Sequence, residues 1–228
     1  MIFSFLYNPY IAIIGDVKNS KKIEDRNNVQ NKLKNILNKI NEDYENDISA
    51  KFVITLGDEF QGLLDKGENI LNIVEDIEKM MYPIEIRFGI GIGTITTDID
   101  SMMAMGADGP GYYMARKAIE RIKENEGKNK TYNSNVRIEI DEDKNLTSEM
   151  LNTIFSLLSV VKNEWTDRQR EIISDFEKYK DGQEKSSERL GITQSSVQRG
   201  LTNGNYYAYR NAKDTVNNIL KEIRRKDV

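Results

Sequence analysis

The chain has 228 residues, of which 38% are hydrophobic and 31% charged, with a formal net charge of −4. That is the composition of a globular protein with room for one large domain or two modest ones. It contains no cysteine and no histidine, which excludes disulfides, thiolate and Ser-His-Asp catalysis, zinc fingers and His-held metals, and leaves chemistry to carboxylates, Lys, Arg, Tyr, Ser or a hard cation on oxygen ligands.

The N-terminal stretch MIFSFLYNPYIAIIGD is apolar, but it has no basic start and Asn8-Pro9 breaks it. No unbroken apolar window of about 18 residues follows, so a cytoplasmic protein without membrane association is expected, with residues 1–10 an ordered strand or arm. YIAIIGD, 10–16, reads as a buried strand closed by Gly15-Asp16. NSKKIEDR then opens a helix with Asn19 or Ser20 as cap, and Val29, Leu33, Ile36, Leu37, Ile40 and Tyr44 carry it over 23–45. KFVITL, 51–56, and FQGLL, 60–64, read as strands joined by a tight turn at Gly57-Asp58-Glu59. Ile70, Ile73, Val74, Ile77 and Met81 predict a helix ending before Pro83. IEIRFGIGIGTIT, 84–96, alternates as a strand, MGADGPG leads into a helix at 112–123, and NVRIEI, 135–140, is a further strand. This order predicts an α+β sandwich, helices on one face of an antiparallel sheet. The polar run DEDKNLTSE, 141–149, marks a boundary, after which everything reads helical. Residues 1–145 hold 19 Lys+Arg against 25 Asp+Glu, and residues 146–228 hold 14 against 12. The C-terminal third is mildly basic, which is compatible with nucleic-acid contact.

Asp16 ends the first strand, and Asp58 and Glu59 sit on the hairpin turn. If the first strand lies beside the hairpin, three carboxylates converge at one sheet edge, where like charges raise one another's pKa unless a divalent cation neutralises them. Two carboxylates plus substrate phosphates is the usual Mg²⁺ arrangement. The residues alone leave open an ordinary Gly-Asp hairpin with Glu59 solvated. GIGIG, 89–93, lacks the spacing of a dinucleotide fingerprint; its glycines either admit substrate to the sheet or ease its curvature. MGADGPG is a nucleotide loop or a helix lead-in, with Asp108 a polar contact or cap. Arg87 and Arg26 reach phosphate or solvent.

Taken in order, IIGD, GDEFQGLL, IRFGIGIG and DGPGYYMARKAIE resemble the palm-type nucleotidyl cyclases: the class III cyclases, the GGDEF diguanylate cyclases and the CRISPR polymerase palms. Over nearly its whole length the chain is more similar still to the SatD family, a cyclase-like palm followed by a helix-turn-helix. The resemblance implies a ferredoxin-like palm with an antiparallel sheet over 1–145 and an all-α helix-turn-helix domain over 150–228. It implies Mg²⁺ or Mn²⁺ on Asp16 and Asp58, with Glu59 auxiliary and the Val17 carbonyl an added ligand. It places the triphosphate of a nucleotide on Val17, Lys18, Asn19, Ser20 and Lys21 at the start of the first helix, where N–H groups and the helix dipole favour anions. Gly57 and Arg87 join that nucleotide site. On the third helix, Tyr113 and Lys117, with Arg116 adjacent, stand where class III cyclases carry an Asn and an Arg at the transition state. The turn also has one glycine before its acid instead of two, and no aromatic follows Asp16. Two functions stay open: a metal-dependent nucleotidyl cyclase or nucleotidyltransferase that releases pyrophosphate with Asp16, Asp58, Glu59 and Lys117 as its machinery, or a DNA-binding regulator whose inactive palm senses a nucleotide. A structural adaptor is the third possibility.

SSERLGITQSSVQRGL, 186–201, has a helix-turn-helix pattern that resembles region four of sigma factors, with TDRQREIISDFEKY as the preceding helix. Gly191 makes the turn, and Val197 and Leu201 are spaced to lock the second helix onto the first. Thr193, Gln194, Ser195, Ser196, Gln198 and Arg199 then face outward, as DNA contacts would; a bundle for protein contact is the other reading. NYYAYR, 205–210, reads as aromatic packing between this unit and its neighbour rather than base stacking. A homodimer through the palm is the expected assembly.

Overall fold

The computed structural model describes residue 5 and residues 7–128, 134–142 and 146–224. The expected N-terminal arm lies largely outside these residues, as does part of the polar run at 141–149. Along the chain come β1 (Tyr10–Val17), α1 (Arg26–Asp43), β2 (Ile48–Leu56), β3 (Glu59–Leu64), α2 (Ile70–Met81), β4 (Ile86–Gly93), α3 (Pro110–Glu126), β5 (Val136–Ile140) and then α4 (Thr147–Asn163), α5 (Asp167–Tyr179), α6 (Gln183–Leu190), α7 (Gln194–Asn203) and α8 (Tyr206–Leu220). The chain divides into two compact units: Met1–Phe155 with Val216–Val228, and Ser156–Thr215. The expected domains were 1–145 and 150–228. The structure divides the chain a few residues later, and its last segment returns to the first unit, where Leu220 and Ile223 are fully buried and Gly67 donates to the Ile223 carbonyl at 2.8 Å.

In the first unit the strands run β2-β3-β1-β4-β5 across one sheet. β1 pairs antiparallel with both β3 and β4, and β2 pairs antiparallel with β3. A β-α-β-β-α-β chain in this strand order is a ferredoxin-like fold. β5 joins parallel to β4, with α3 as the crossover that a parallel pair requires.

The helices do not all lie on one face. Along β1, Ala12 and Ile14 cluster with Tyr112, Ala115 and Ile119 of α3. Successive strand residues point to opposite faces, so Ile11, Ile13 and Gly15 face away from α3. On that side Phe60 and Phe88, the cross-strand neighbours of Gly15, meet edge to face with centroids 6.1 Å apart. A Cβ on Gly15 would lie 2.0 Å from the Phe60 ring, so glycine there makes room for the aromatic layer.

Residues 17–22 also depart from expectation. Neither Asn19 nor Ser20 caps α1. Asp25 does, accepting from the Asn28 N–H at 3.0 Å. Ser20–Lys22 form a single 3-10 turn entered through a left-handed Asn19 (φ 52°). One turn has too few aligned peptides for a helix dipole, so the expected anion-attracting helix start is absent at this loop.

Asparagines satisfy strand backbone on both outer strands. The Asn41 amide takes the Phe52 N–H at 2.7 Å and gives to its carbonyl at 3.0 Å, where the β2–β3 register shifts. Asn152 of α4 does the same for Ile138 of β5, at 2.8 Å each way. Buried backbone groups left unpaired are costly, and exposed strand edges invite unwanted pairing.

The second unit is helical. Ile172, Ile173, Val197, Leu201 and Tyr206 form its core. Thr166 makes a reciprocal capping box with Gln169 at the start of α5. Arg189 of α6 holds Asp175 at 2.8 Å and Asp181 at 2.6 Å, and lies 4.1 Å from the centre of the Tyr179 ring. The Asp175 carboxyl is held below its usual range by the Arg189 hydrogen bond, against burial, with Ser186 helping. Of the 205–210 aromatics, Tyr206 packs on Phe176 and Tyr209 on Trp165, all within this unit, while Tyr207 is half exposed. Among the described residues no helix is long and apolar enough to cross a membrane.

Candidate functional site

The register of the sheet places Asp16 between two charged neighbours, with Glu59 opposite it on β3 and Arg87 opposite it on β4. The C-terminal half of α3 closes over this row. Arg87 Nη1 donates to Asp16 Oδ2 at 2.5 Å and Lys123 Nζ to Asp16 Oδ1 at 2.9 Å. The other edge of Arg87 clamps Glu126, with Nη2 2.7 Å from Oε2. Lys18 lies 3.1 Å from Glu126 Oε1 and 3.3 Å from Glu85. Arg116 lies 3.5 Å from Glu59.

Asp58 belongs to a neighbouring cluster. Its carbonyl accepts from the Val17 N–H at 3.1 Å, and its carboxylate accepts from the Ser20 hydroxyl. Gly57, at φ 60°, offers its carbonyl to the Gln30 amide at 2.6 Å. The 17–20 loop and the hairpin turn, far apart in sequence, are thus in direct contact. Between them lies a cavity of about 20 Å³ lined by Ser20, Arg26, Gln30, Gly57 and Asp58 among others. That is room for about one water, so a triphosphate would lie outside it. Asn19 and Lys21 are exposed beside it.

The remaining expected residues are dispersed. Lys117 lies 3.7 Å from Glu139, a buried acid that also holds Arg121 and Arg137. Tyr113 donates to Asp108 at 2.9 Å on the exposed first turn of α3. Their partners are thus Glu139 and Asp108, not Asp16 or Asp58. Glycines 89, 91 and 93 admit the backbone of α3: a Cβ on Gly91 would lie 2.0 Å from the Gly111 carbonyl oxygen.

The acids were expected to converge at one sheet edge and to be neutralised by a divalent cation. In the structure both Asp16 oxygens accept from side-chain cations, and among the described residues no group of three or more His, Cys, Asp or Glu is arranged to hold a metal ion. The donor set as folded does not fit the Mg²⁺ or Mn²⁺ that the resemblance implies. Sequence reading missed Lys123 and Glu126. Their signal was helical spacing, since 116, 123 and 126 flank the buried stripe of Ala115, Ile119 and Ile122.

The network gives the site a pH signature. Burial pushes the Glu126 carboxyl up, but hydrogen bonds from Arg87 and Lys18 outweigh it and hold the group below its ordinary 4.5. A depressed carboxyl contributes stability that is fully present above its unfolded value and is lost as pH falls through the folded one. The urea midpoint is therefore expected to be flat above about pH 5 and to drop below about 4.5. A midpoint that rises on acidification would contradict the ion pairs.

On α7, Thr193 accepts from the Ser196 N–H at 3.2 Å as N-cap. Val197 and Leu201 are buried and Thr193, Gln194, Ser195, Gln198 and Arg199 are exposed, while Ser196, expected on the same outward face, is partly buried. Gly191 ends α6 in the left-handed region, φ 62°.

The model of the SatD family matches residues 10–220. No curated protein matches the chain. Among solved structures, the dimeric guanylyl cyclase domain of the RhoGC fusion protein from the aquatic fungus Blastocladiella emersonii is 20% identical, over 48% of this chain and 72% of that one, with a TM-score of 0.37. The guanylate cyclase domain of RhGC from Catenaria anguillulae in complex with GTP is 18% identical over 48% and 71%, with a TM-score of 0.36. A bacterial light-regulated adenylyl cyclase is 14% identical over 57% and 74%, with a TM-score of 0.40.

Proposed function

Because this chain belongs to the SatD family, we propose that it is a nucleotide-responsive DNA-binding regulator whose palm binds a nucleoside triphosphate without chemistry and whose α6–α7 pair is a helix-turn-helix. The observation that supports this reading most is the pairing of Asp16 with Arg87 and Lys123. An acid neutralised from within the protein is poorly placed to assemble a transferase site. The contact of the 17–20 loop with Asp58 supports a nucleotide nearby, with the exposed Lys21 beside it for phosphate charge. The exposed polar face of α7, with Arg199 on it, suits phosphates and base edges in a major groove. One such module per chain favours a homodimer reading two half-sites.

The second reading is metal-dependent nucleotidyl transfer on Asp16, Asp58 and Glu59 with Mg²⁺ or Mn²⁺, and Lys117 as a neutralising charge. It is favoured by the direct opposition of Asp16 and Glu59 across β1 and β3.

Two assays on the full chain decide. With each nucleoside triphosphate and Mg²⁺ or Mn²⁺, the regulator reading expects a raised melting temperature and no pyrophosphate; turnover would transfer the conclusion to the second reading. Selection from random-sequence DNA should enrich a salt-sensitive site, bound about ten-fold or more weakly by Arg199→Ala. No enriched sequence, with Arg199→Ala indistinguishable from wild type, would make α7 a protein-contact helix.

A further inference from the structure

At Asp16 the protein supplies its own cations. Asp16 is only 8% exposed, and the Arg87 side chain only 14%. Lys123, Asp16, Arg87, Glu126, Lys18 and Glu85 form a chain in which each member pairs with the next, so three cations alternate with three acids. Glu59, in the same row, has Arg116 beside it. Asp16, Glu126, Glu85 and Glu59 each have a cation within 3.5 Å, while Asp58 accepts from the Ser20 hydroxyl instead. A divalent ion approaching Asp16 would have to displace Arg87 or Lys123 and then sit within a few ångströms of the displaced charge and of Lys18. Repulsion at that range in a partly desolvated site is large. The geometry is specific as well. Arg87 presents two edges, one to Asp16 and one to Glu126, so it cannot swing off Asp16 without also giving up the Glu126 clamp.

We propose that Arg87 and Lys123 take the place of a divalent cation at Asp16, so that this palm excludes metal there and receives its ligand as a metal-free polyphosphate anion. The statement about metal stands on the ion pairs alone; the statement about the ligand rests on the nucleotide reading above. The exclusion is electrostatic. Removing the cations leaves a buried carboxylate beside Glu59 that has to be neutralised by something else, and a divalent ion in solution is the available partner.

The test is Mn²⁺ titration of the full chain by calorimetry, first without nucleotide. Wild type is expected to show no saturable binding that depends on Asp16. Lys123→Gln should gain a saturable site, binding roughly ten-fold tighter than any wild-type background, and R87Q/K123Q should bind tighter again. Adding D16N should abolish both gains. Circular dichroism identifies which variants are folded. If the double variant is not, Lys123→Gln decides alone, because its side chain is half exposed and its loss leaves Arg87 in place. Mn²⁺ binding to wild type that D16N removes would overturn the proposal. So would a folded Lys123→Gln that binds no better than wild type. The second arm compares nucleoside triphosphate binding in EDTA and in excess Mg²⁺. Equal or tighter binding in EDTA supports the metal-free ligand, and binding seen only with Mg²⁺ overturns it. Absence of nucleotide binding in both, with the Mn²⁺ results as expected, would sink the nucleotide reading and leave the cation assignment standing.

Discussion

Gly91→Val is expected to unfold the first unit or leave it without fixed tertiary packing, and Gly91→Ala to cost more than the roughly 1–3 kcal/mol of ordinary overpacking. A Cβ at Gly91 would lie 2.0 Å from the Gly111 carbonyl oxygen and 2.2 Å from the Ala115 nitrogen. Both are backbone atoms of α3, so no side-chain rotation relieves the clash and the helix has to lift. Lifting it opens the cluster of Ala12, Ile14, Leu63, Tyr112, Ala115 and Ile119 and draws Lys123 and Glu126 away from Asp16 and Arg87. Gly127→Ala is the control. It follows α3 in ordinary helical conformation at φ −70°, and a Cβ there would meet the Glu124 carbonyl oxygen at 3.5 Å, an ordinary contact. Its effect should stay within about 0.5 kcal/mol. Urea unfolding followed by circular dichroism measures both; equal midpoints for Gly91→Ala and wild type would contradict the close approach of α3 to β4.

Arg87→Met is expected to cost about 3 kcal/mol at neutral pH, the low end for the loss of one partner from a buried ion pair. The low end applies because Lys123 still reaches Asp16 and Lys18 still reaches Glu126. The sign with pH separates this from lost packing. In wild type the depressed Glu126 carboxyl contributes stability above its unfolded value, which disappears as pH falls. Without Arg87 the depression shrinks, so the acid limb of the variant is shallower and the two stability curves converge toward low pH. Curves that stay parallel from pH 7 to 3 would show that methionine merely packs worse than arginine.

Much of this was legible in the residues. The period of Ile70, Ile73, Val74, Ile77 and Met81 with Pro83 beyond them gave α2 its bounds, and β1, the β2–β3 hairpin, α3 and β5 followed from similar local signals. The strand order of the sheet was legible through resemblance. The start of α1 was misread because Asn19 and Ser20 are also good turn formers, and the left-handed Asn19 used that capacity instead.

The candidate site divides along the same line. That Asp16 ends a strand and that Asp58 and Glu59 sit on a hairpin turn was legible in the sequence, since strand ends and turns carry local marks; that β1 lies beside β3 and so brings them to one end of the sheet was decided by the fold. Whether those acids were left for a metal was not legible in the sequence either. Asp16 finds Arg87 71 positions away and Lys123 107 positions away, and nothing in the periodicity of either segment fixes that pairing. It depends on the β1–β4 register and on where α3 crosses the sheet. The glycines of β4 set that crossing, and their role was equally hidden, because an absent side chain has no meaning until the backbone that fills its place is known. Local pattern determined which elements form and which faces are apolar. Tertiary packing alone decided that the acid row would be neutralised by the protein's own arginine and lysine, because ion pairing is a property of distance and not of sequence order.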